Sequence, residues 1–313
     1  MIENSRKLIT LDGMRRGALE AILDSAVQFL TPDTDGHHRR LLARKAVALL
    51  FCEPSTRTRL SFELAARRLG ADVVTMDEDT SSRTKGETLS DTLATLAAMD
   101  VSLAVVRHAE DGIMNRLAAK LPSGMALVCA GEGTRNHPTQ GLLDALTIRR
   151  HRPDLSNLSV AVIGDIAHSR VARSTCRALD TLGVGELRLV GPPAFLPRHG
   201  EMPGRPISNL ENGIRGADVV MALRIQHERM DGDERPDLES YRRDFGLDTS
   251  RLEELVGREA LLMHPGPVNW GVELDPDLQA WPNNLITEQV HNGVALRMAV
   301  LNWLGGEDDH DIA

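Results

Sequence analysis

Aromatic side chains are scarce in this sequence: five Phe, three Trp and one Tyr among 313 residues. So few rings cannot supply the row of base-stacking platforms used by single-strand nucleic-acid binders. A basic surplus is also missing. The 36 Lys and Arg face 45 Asp and Glu, leaving a formal net charge of −9 with His neutral, which argues against the cationic footprint of a general nucleic-acid partner. Only three cysteines occur, Cys52, Cys129 and Cys176. They are far apart and set among apolar residues, so they read as reduced core residues in a cytoplasmic protein, not as a disulfide or zinc framework. No apolar run approaches the roughly 18 residues that a membrane span needs. Nor does the segment Met1–Lys7 lead into the apolar stretch of a secretory signal. The expectation is a cytoplasmic chain with no membrane and no nucleic-acid partner.

What is present is a recurrence of short apolar runs with helical patterns between them, the signature of βα units on parallel sheets. Strands are predicted at Lys45–Cys52, Ala71–Met76, Val101–Arg107 and Met125–Ala130, with helices at Thr56–Leu69, Glu87–Met99 and Asp111–Lys120. A second series of strands is predicted at Leu158–Gly164, Glu186–Val190, Ala217–Leu223 and Ala260–Met263. Helices at Pro138–Arg150 and His291–Leu304 join the halves and close the chain. This is an α/β class with two doubly wound parallel-sheet domains and a ligand site in the cleft between them. The predicted division is 1–137 plus 290–313 for one domain and 138–289 for the other. Residues 224–244 read as a polar segment unlikely to pack, either a moving gate or a solvated connection.

In open parallel sheets the residues just after each strand meet the ligand. Here those positions repeatedly carry cations, hydroxyls or histidine. The first strand runs into Glu53-Pro54-Ser55-Thr56-Arg57-Thr58-Arg59 at a helix start, where free amide N–H groups and arginine together suit an oxyanion. Ser81 and Lys85 follow the second strand, Arg107-His108 ends the third, and His137-Pro138-Thr139-Gln140 opens the helix after the fourth. In the second half Gly164-Asp165 leads to His168-Ser169-Arg170, and another strand ends in Arg224-Ile225-Gln226. The last strand leaves through His264-Pro265-Gly266-Pro267. Any one such residue is more often a surface ion pair, but their recurrence points to one anion-binding crevice.

Other chemistries lack their motifs. A phosphate-loop pattern is absent, Val162-Ile163-Gly164-Asp165 lacks the further glycines of a dinucleotide fingerprint, and no G-x-S-x-G occurs. No metal-ligand spacing is found, and His37-His38 reads as exposed.

Ser55-Thr56-Arg57-Thr58-Arg59, Lys85-Gly86-Glu87-Thr88, Arg107-His108, His137-Pro138-Thr139-Gln140 and His264-Pro265-Gly266-Pro267 stand in the order found in carbamoyltransferases. The chain resembles the aspartate/ornithine carbamoyltransferase superfamily over nearly its whole length. Within it, the His264-Pro265-Gly266-Pro267 turn, the absence of Ser-Met-Gly and the Arg224-x-Gln226 element resemble the aspartate branch. The resemblance implies transfer of the carbamoyl group of carbamoyl phosphate to L-aspartate, the second step of pyrimidine biosynthesis, with no cofactor and no metal. It assigns Ser55, Thr56, Arg57, Thr58 and Arg107 to the phosphate, and Thr58, Arg107 and His137 to the carbamoyl oxygen. Gln140 and the carbonyls of the Pro265, Gly266 and Pro267 turn orient the carbamoyl NH2. Arg170, Arg224 and Gln226 take the carboxylates of aspartate, and Glu53 positions arginines. Ser81 and Lys85 are expected to enter a neighbouring subunit's site in a homotrimer, with a dodecamer containing regulatory or dihydroorotase-like subunits left open. The resemblance also favours a gate at 224–244. The alternatives are a carbamoyltransferase for another amino acid such as ornithine, a nucleotide-dependent oxidoreductase and a non-catalytic scaffold homologue.

Overall fold

The computed structural model describes residues 6–77, 87–225 and 237–306. The chain forms two compact units, Met1–Leu143 with Val290–Ala313, and Asp144–Gln289.

The first unit begins with β1 (Lys7–Leu8) and α1 (Arg16–Gln28). It continues through β2 (Ala46–Phe51), α2 (Thr56–Arg68), β3 (Asp72–Asp77), α3 (Leu89–Ala98), β4 (Val101–His108), α4 (Ile113–Ala119) and β5 (Ala126–Glu132). Among the described residues its sheet has five strands in the order β1-β5-β4-β2-β3, every pair parallel. The nearly unbroken apolar sequences of β2 and β5 are those of strands covered on both faces, and from Val47 to Phe51 and throughout β5 every residue is buried. One face packs Leu50, Val106, Leu127 and Cys129 against Leu93 and Leu96 of α3 and Met114 and Leu117 of α4. α3 starts at a capping box in which Thr88 Oγ1 accepts from the Asp91 N–H and Asp91 accepts from the Thr88 N–H.

α5 (Pro138–His151) carries the chain from the first unit into the second, the division falling between Leu143 and Asp144. There follow β6 (Ser159–Ile163), α6 (Arg170–Leu182), β7 (Glu186–Val190), β8 (Arg205–Ile207), α7 (Leu210–Ile214), β9 (Val219–Ala222), α8 (Leu238–Phe245), α9 (Thr249–Val256) and β10 (Leu261–Met263). Their sheet, again parallel, runs β10-β9-β6-β7-β8. α10 (Ile286–Gly305) returns the chain to the first unit.

The predicted strands match in position, and one reading is corrected. Residues 238–244 do pack: they lie in α8, capped by Asp237, with Tyr241 and Phe245 buried one turn apart and the arginines between them exposed. The remainder of the polar segment, 226–236, lies outside the described residues. His37 is exposed as read, whereas His38 is half-buried against the edge of Phe29, ring centroids 4.9 Å apart.

Two local expectations follow. Gly70, just past α2, has φ +85°, and a Cβ there would lie 2.0 Å from the carbonyl oxygen of Arg39. Gly70→Ala is therefore expected to cost about 2 kcal/mol or more, read by denaturant unfolding; an unchanged midpoint would contradict the packing. Burial pushes the Cys176 thiol up to about 12, so at about pH 8 it carries almost no thiolate. Peptide mapping after iodoacetamide treatment of the folded protein should find label at half-buried Cys52 and none at Cys176.

Candidate active site

In the first sheet the chain leaves β2 toward β3 on one side and β4 toward β5 on the other, so a topological switch point lies between β2 and β4. Ligand crevices form at such points, at the carboxyl ends of the strands. Phe51 at the end of β2 is the register partner of Arg107, and the Cys52 N–H donates to the Arg107 carbonyl at 2.9 Å. Ser55 then turns the chain into α2 with an extended backbone, and its hydroxyl makes no capping bond to the helix. The first turn holds no acidic residue. Amide N–H groups, the hydroxyls of Ser55, Thr56 and Thr58, and the Arg57 charge therefore gather at one helix start, which is the composition of an oxyanion site.

Arg107 is fixed within this group. Its Nη2 lies 2.7 Å from Glu53 Oε1 and its Nη1 donates to the Ala130 carbonyl at 3.2 Å. Glu53 thus orients a guanidinium beside the helix start.

β5, the neighbour of β4, delivers the third group. Its last residue, Glu132, is 1% exposed; Oε1 accepts from the Met114 N–H at 2.9 Å and Oε2 from Asn136 Nδ2 at 2.8 Å. Asp111 closes the same turn by accepting from the Thr134 N–H at 2.8 Å, and a Cβ on Gly133 would sit 1.8 Å from Asp111 Oδ1. This turn ends in buried His137, whose carbonyl accepts from the Gln140 N–H at 2.9 Å as α5 begins; Gln140 is buried as well. Ser55–Thr58, Arg107, His137 and Gln140 therefore follow three adjacent strands on one edge of one unit. Sequence reasoning found these residues but missed Glu132 and Asp111, which shape the turn before His137.

The second sheet repeats the arrangement. The chain leaves β6 toward β7 and β9 toward β10, placing a switch point between β6 and β9. These strand ends are tight: the Leu223 N–H donates to the Ile163 carbonyl at 2.8 Å, and a Cβ on Gly164 would meet the Leu223 oxygen at 2.7 Å. After β6, fully buried Asp165 accepts from the His168 N–H at 3.3 Å and lies 2.8 Å from His168 Nδ1. Ser169 caps α6, accepting from the Ala172 N–H at 3.1 Å, and Arg170 opens it, 5% exposed. A cation at a helix N-terminus opposes the macrodipole, and no acidic residue lies in that first turn. The pairing is favourable when an anion joins it. Arg224, half-buried, follows β9 on the other side of the switch point. The 264–267 turn follows β10, next to β9, with Pro265 and Gly266 half-buried and Pro267 exposed.

Ser81, Lys85 and Gln226 lie outside the described residues. Among the described residues no group of three or more His, Cys, Asp or Glu could hold a metal ion. No described helix is long and apolar enough to cross a membrane.

One unit thus presents an oxyanion site with donors suited to a developing negative oxygen, and the other presents two arginines suited to a dicarboxylate. Comparison with known proteins identifies the family. Residues 6–150 match the aspartate/ornithine carbamoyltransferase carbamoyl-P binding domain, and residues 156–304 match the Asp/Orn binding domain of that family. The chain is 48% identical over 305 residues to the aspartate carbamoyltransferase catalytic subunit of Stenotrophomonas maltophilia (strain K279a), covering 96% of each chain. It is 48% identical over 304 residues to the corresponding subunit of Xanthomonas campestris pv. campestris (strain B100), again covering 96% of each. Among solved structures it is similar to aspartate transcarbamoylase from Trypanosoma cruzi in complex with carbamoyl aspartate and phosphate, with TM-score 0.85, 28% identity and 95% of each chain covered. The complex of that protein with N-(phosphonacetyl)-L-aspartic acid matches with TM-score 0.83 and 27% identity, over 96% of this chain and 97% of that one. The chain belongs to the aspartate/ornithine carbamoyltransferase family.

Proposed function

We propose that the protein is an aspartate carbamoyltransferase, converting carbamoyl phosphate and L-aspartate to N-carbamoyl-L-aspartate and phosphate. The observation that carries the choice of acceptor is the pair Arg170 and Arg224 flanking the second unit's switch point. Two guanidinium groups match two carboxylates, whereas they would repel the side-chain ammonium of ornithine. The phosphate is held by Ser55, Thr56, Arg57, Thr58 and Arg107, and Gln140 with the carbonyls of the Pro265–Pro267 turn directs the carbamoyl NH2. The neutral α-amino nitrogen of aspartate attacks the carbamoyl carbon. As the N–C bond forms, negative charge grows on the carbamoyl oxygen, where Thr58, Arg107 and His137 donate hydrogen bonds. The carbonyl then re-forms as the bond between the carbamoyl carbon and the bridging oxygen breaks, and the departing phosphate takes the electron pair of that bond and the amine proton. Positioning and electrostatic stabilisation supply the rate enhancement.

Gln226 assists with the carboxylates in this reading, and Ser81 and Lys85 complete the site of a neighbouring chain in a cytoplasmic homotrimer. The order and types of residues in the family motifs support this part of the proposal, and native mass measurement tests it: a fully active monomer would reject the shared site. The activity is tested by supplying carbamoyl phosphate with aspartate, ornithine or N-acetylornithine and identifying the product. N-carbamoyl-L-aspartate is expected; carbamoylation of ornithine instead would overturn the choice of acceptor, and no product at all would favour a scaffold.

A further inference from the structure

The turn at 264–267 carries the carbonyls that, in the proposed reaction, direct the carbamoyl NH2, yet its residues Pro265, Gly266 and Pro267 are partly or fully open. Two prolines and a glycine offer no side-chain donor to hold such a turn in place. Its geometry is instead set from beneath by buried polar groups. Glu273, 2% exposed, uses one oxygen for both arms of the loop. Oε1 accepts from the Asn269 N–H at 2.7 Å on the outgoing arm and lies 3.2 Å from His264 Nε2 on the incoming arm. His264 Nδ1 in turn accepts from the Gly266 N–H at 2.8 Å. That bond leaves Nε2 as the protonated nitrogen, the donor to Glu273. The backbone of His264 is anchored separately: its N–H donates to Gln289 Oε1 at 2.9 Å, Gln289 Nε2 donates to Asp144 Oδ1 at 2.9 Å, and Asp144 Oδ2 accepts from Thr175 Oγ1 at 2.7 Å.

Burying a carboxylate is costly unless it is well hydrogen-bonded. The second oxygen, Oε2, is buried with no hydrogen-bond partner among the described residues. Buried Tyr241 lies close enough to feel the Glu273 charge, and its hydroxyl too has no partner among the described residues. A group retained at such cost is better explained by shaping a reactive turn than by stability alone.

We infer that Glu273 is a positioning residue for the carbamoyl-directing turn, acting through His264 and the Asn269 amide. The inference rests on the proposed carbamoyl transfer. A turn displaced by about 1 Å misdirects the NH2 and costs on the order of a hundredfold in rate, while phosphate recognition, built on the first unit, is left intact.

The test measures steady-state kinetics and the dissociation constant of inorganic phosphate for Glu273→Ala, Glu273→Asp and Glu273→Gln. Glu273→Ala should lower kcat by about 30- to 100-fold, with phosphate affinity within about twofold of wild type. Glu273→Asp, which shortens the reach by one methylene, should lose about tenfold and serves in place of Ala if that variant does not fold. Glu273→Gln keeps an acceptor for both donors and should recover kcat to within about threefold. Wild-type kcat in both Ala and Asp variants, or in Asp alone where Ala is unfolded, would overturn the inference. So would loss of phosphate affinity in step with kcat. A wild-type protein making no N-carbamoyl-L-aspartate would overturn the inference by removing its basis, a failure distinct from an active wild type with indifferent variants.

Discussion

His137→Ala is expected to lower kcat by about 10²- to 10³-fold, the usual effect of removing one donor to a developing oxyanion. The ring is buried directly before α5, behind a turn fixed by Glu132, Asn136 and Asp111. Such a preorganised donor needs little rearrangement as the carbamoyl carbon becomes tetrahedral, so its contribution is made in the transition state. The KM for carbamoyl phosphate should therefore change far less than kcat. Initial rates over a range of carbamoyl phosphate concentrations at saturating aspartate read both constants. A rise in KM with unchanged kcat would place His137 in ground-state binding instead.

Arg224→Ala is expected to show the opposite pattern. It removes charge-assisted hydrogen bonds to one carboxylate, a loss of about 3 kcal/mol and hence about a hundredfold in the KM for aspartate. The KM for carbamoyl phosphate should stay near the wild-type value, because its phosphate contacts are assigned to the other unit. Lysine should restore only part of the loss, since a point charge cannot reproduce a planar fork. Equal, small effects from the His137 and Arg224 variants would reject the division of labour between the units.

How far these assignments could be read from sequence depended on range along the chain. Parallel strands buried on both faces leave continuous apolar runs, so β2, β4, β5, β6 and β9 were legible. β1 and β8, at two and three residues, are too short for a pattern, and Pro206 within β8 disguises it further. α8 was misread because its buried face is only Tyr241 and Phe245, outvoted by the charges between them. The Ser55–Arg59 and His168–Arg170 groups were legible because each is a local cluster at a helix start, and Arg107 and Arg224 because each stands at the end of a predicted strand. Glu132, Asp111 and Glu273 were not, because each acts on backbone amides or side chains that only the folded chain brings within reach. Nothing in the local sequence marks Glu273 as different from a surface glutamate.

The same contrast resolves the acidic balance of the chain. A net charge of −9 argues against a polyanion partner, yet arginines are placed at both switch points, the positions where ligand crevices form in such sheets.

In the proposed reaction, two strand-end anion sites, one in each unit, serve a single transfer. Calorimetric titration with N-(phosphonacetyl)-L-aspartate, which joins a phosphonate to an aspartate moiety, tests it most directly. One molecule should bind per chain, tighter than phosphate or aspartate alone, with affinity lost both on Arg57→Ala and on Arg224→Ala. Binding no tighter than phosphate alone, or binding indifferent to Arg224, would contradict it.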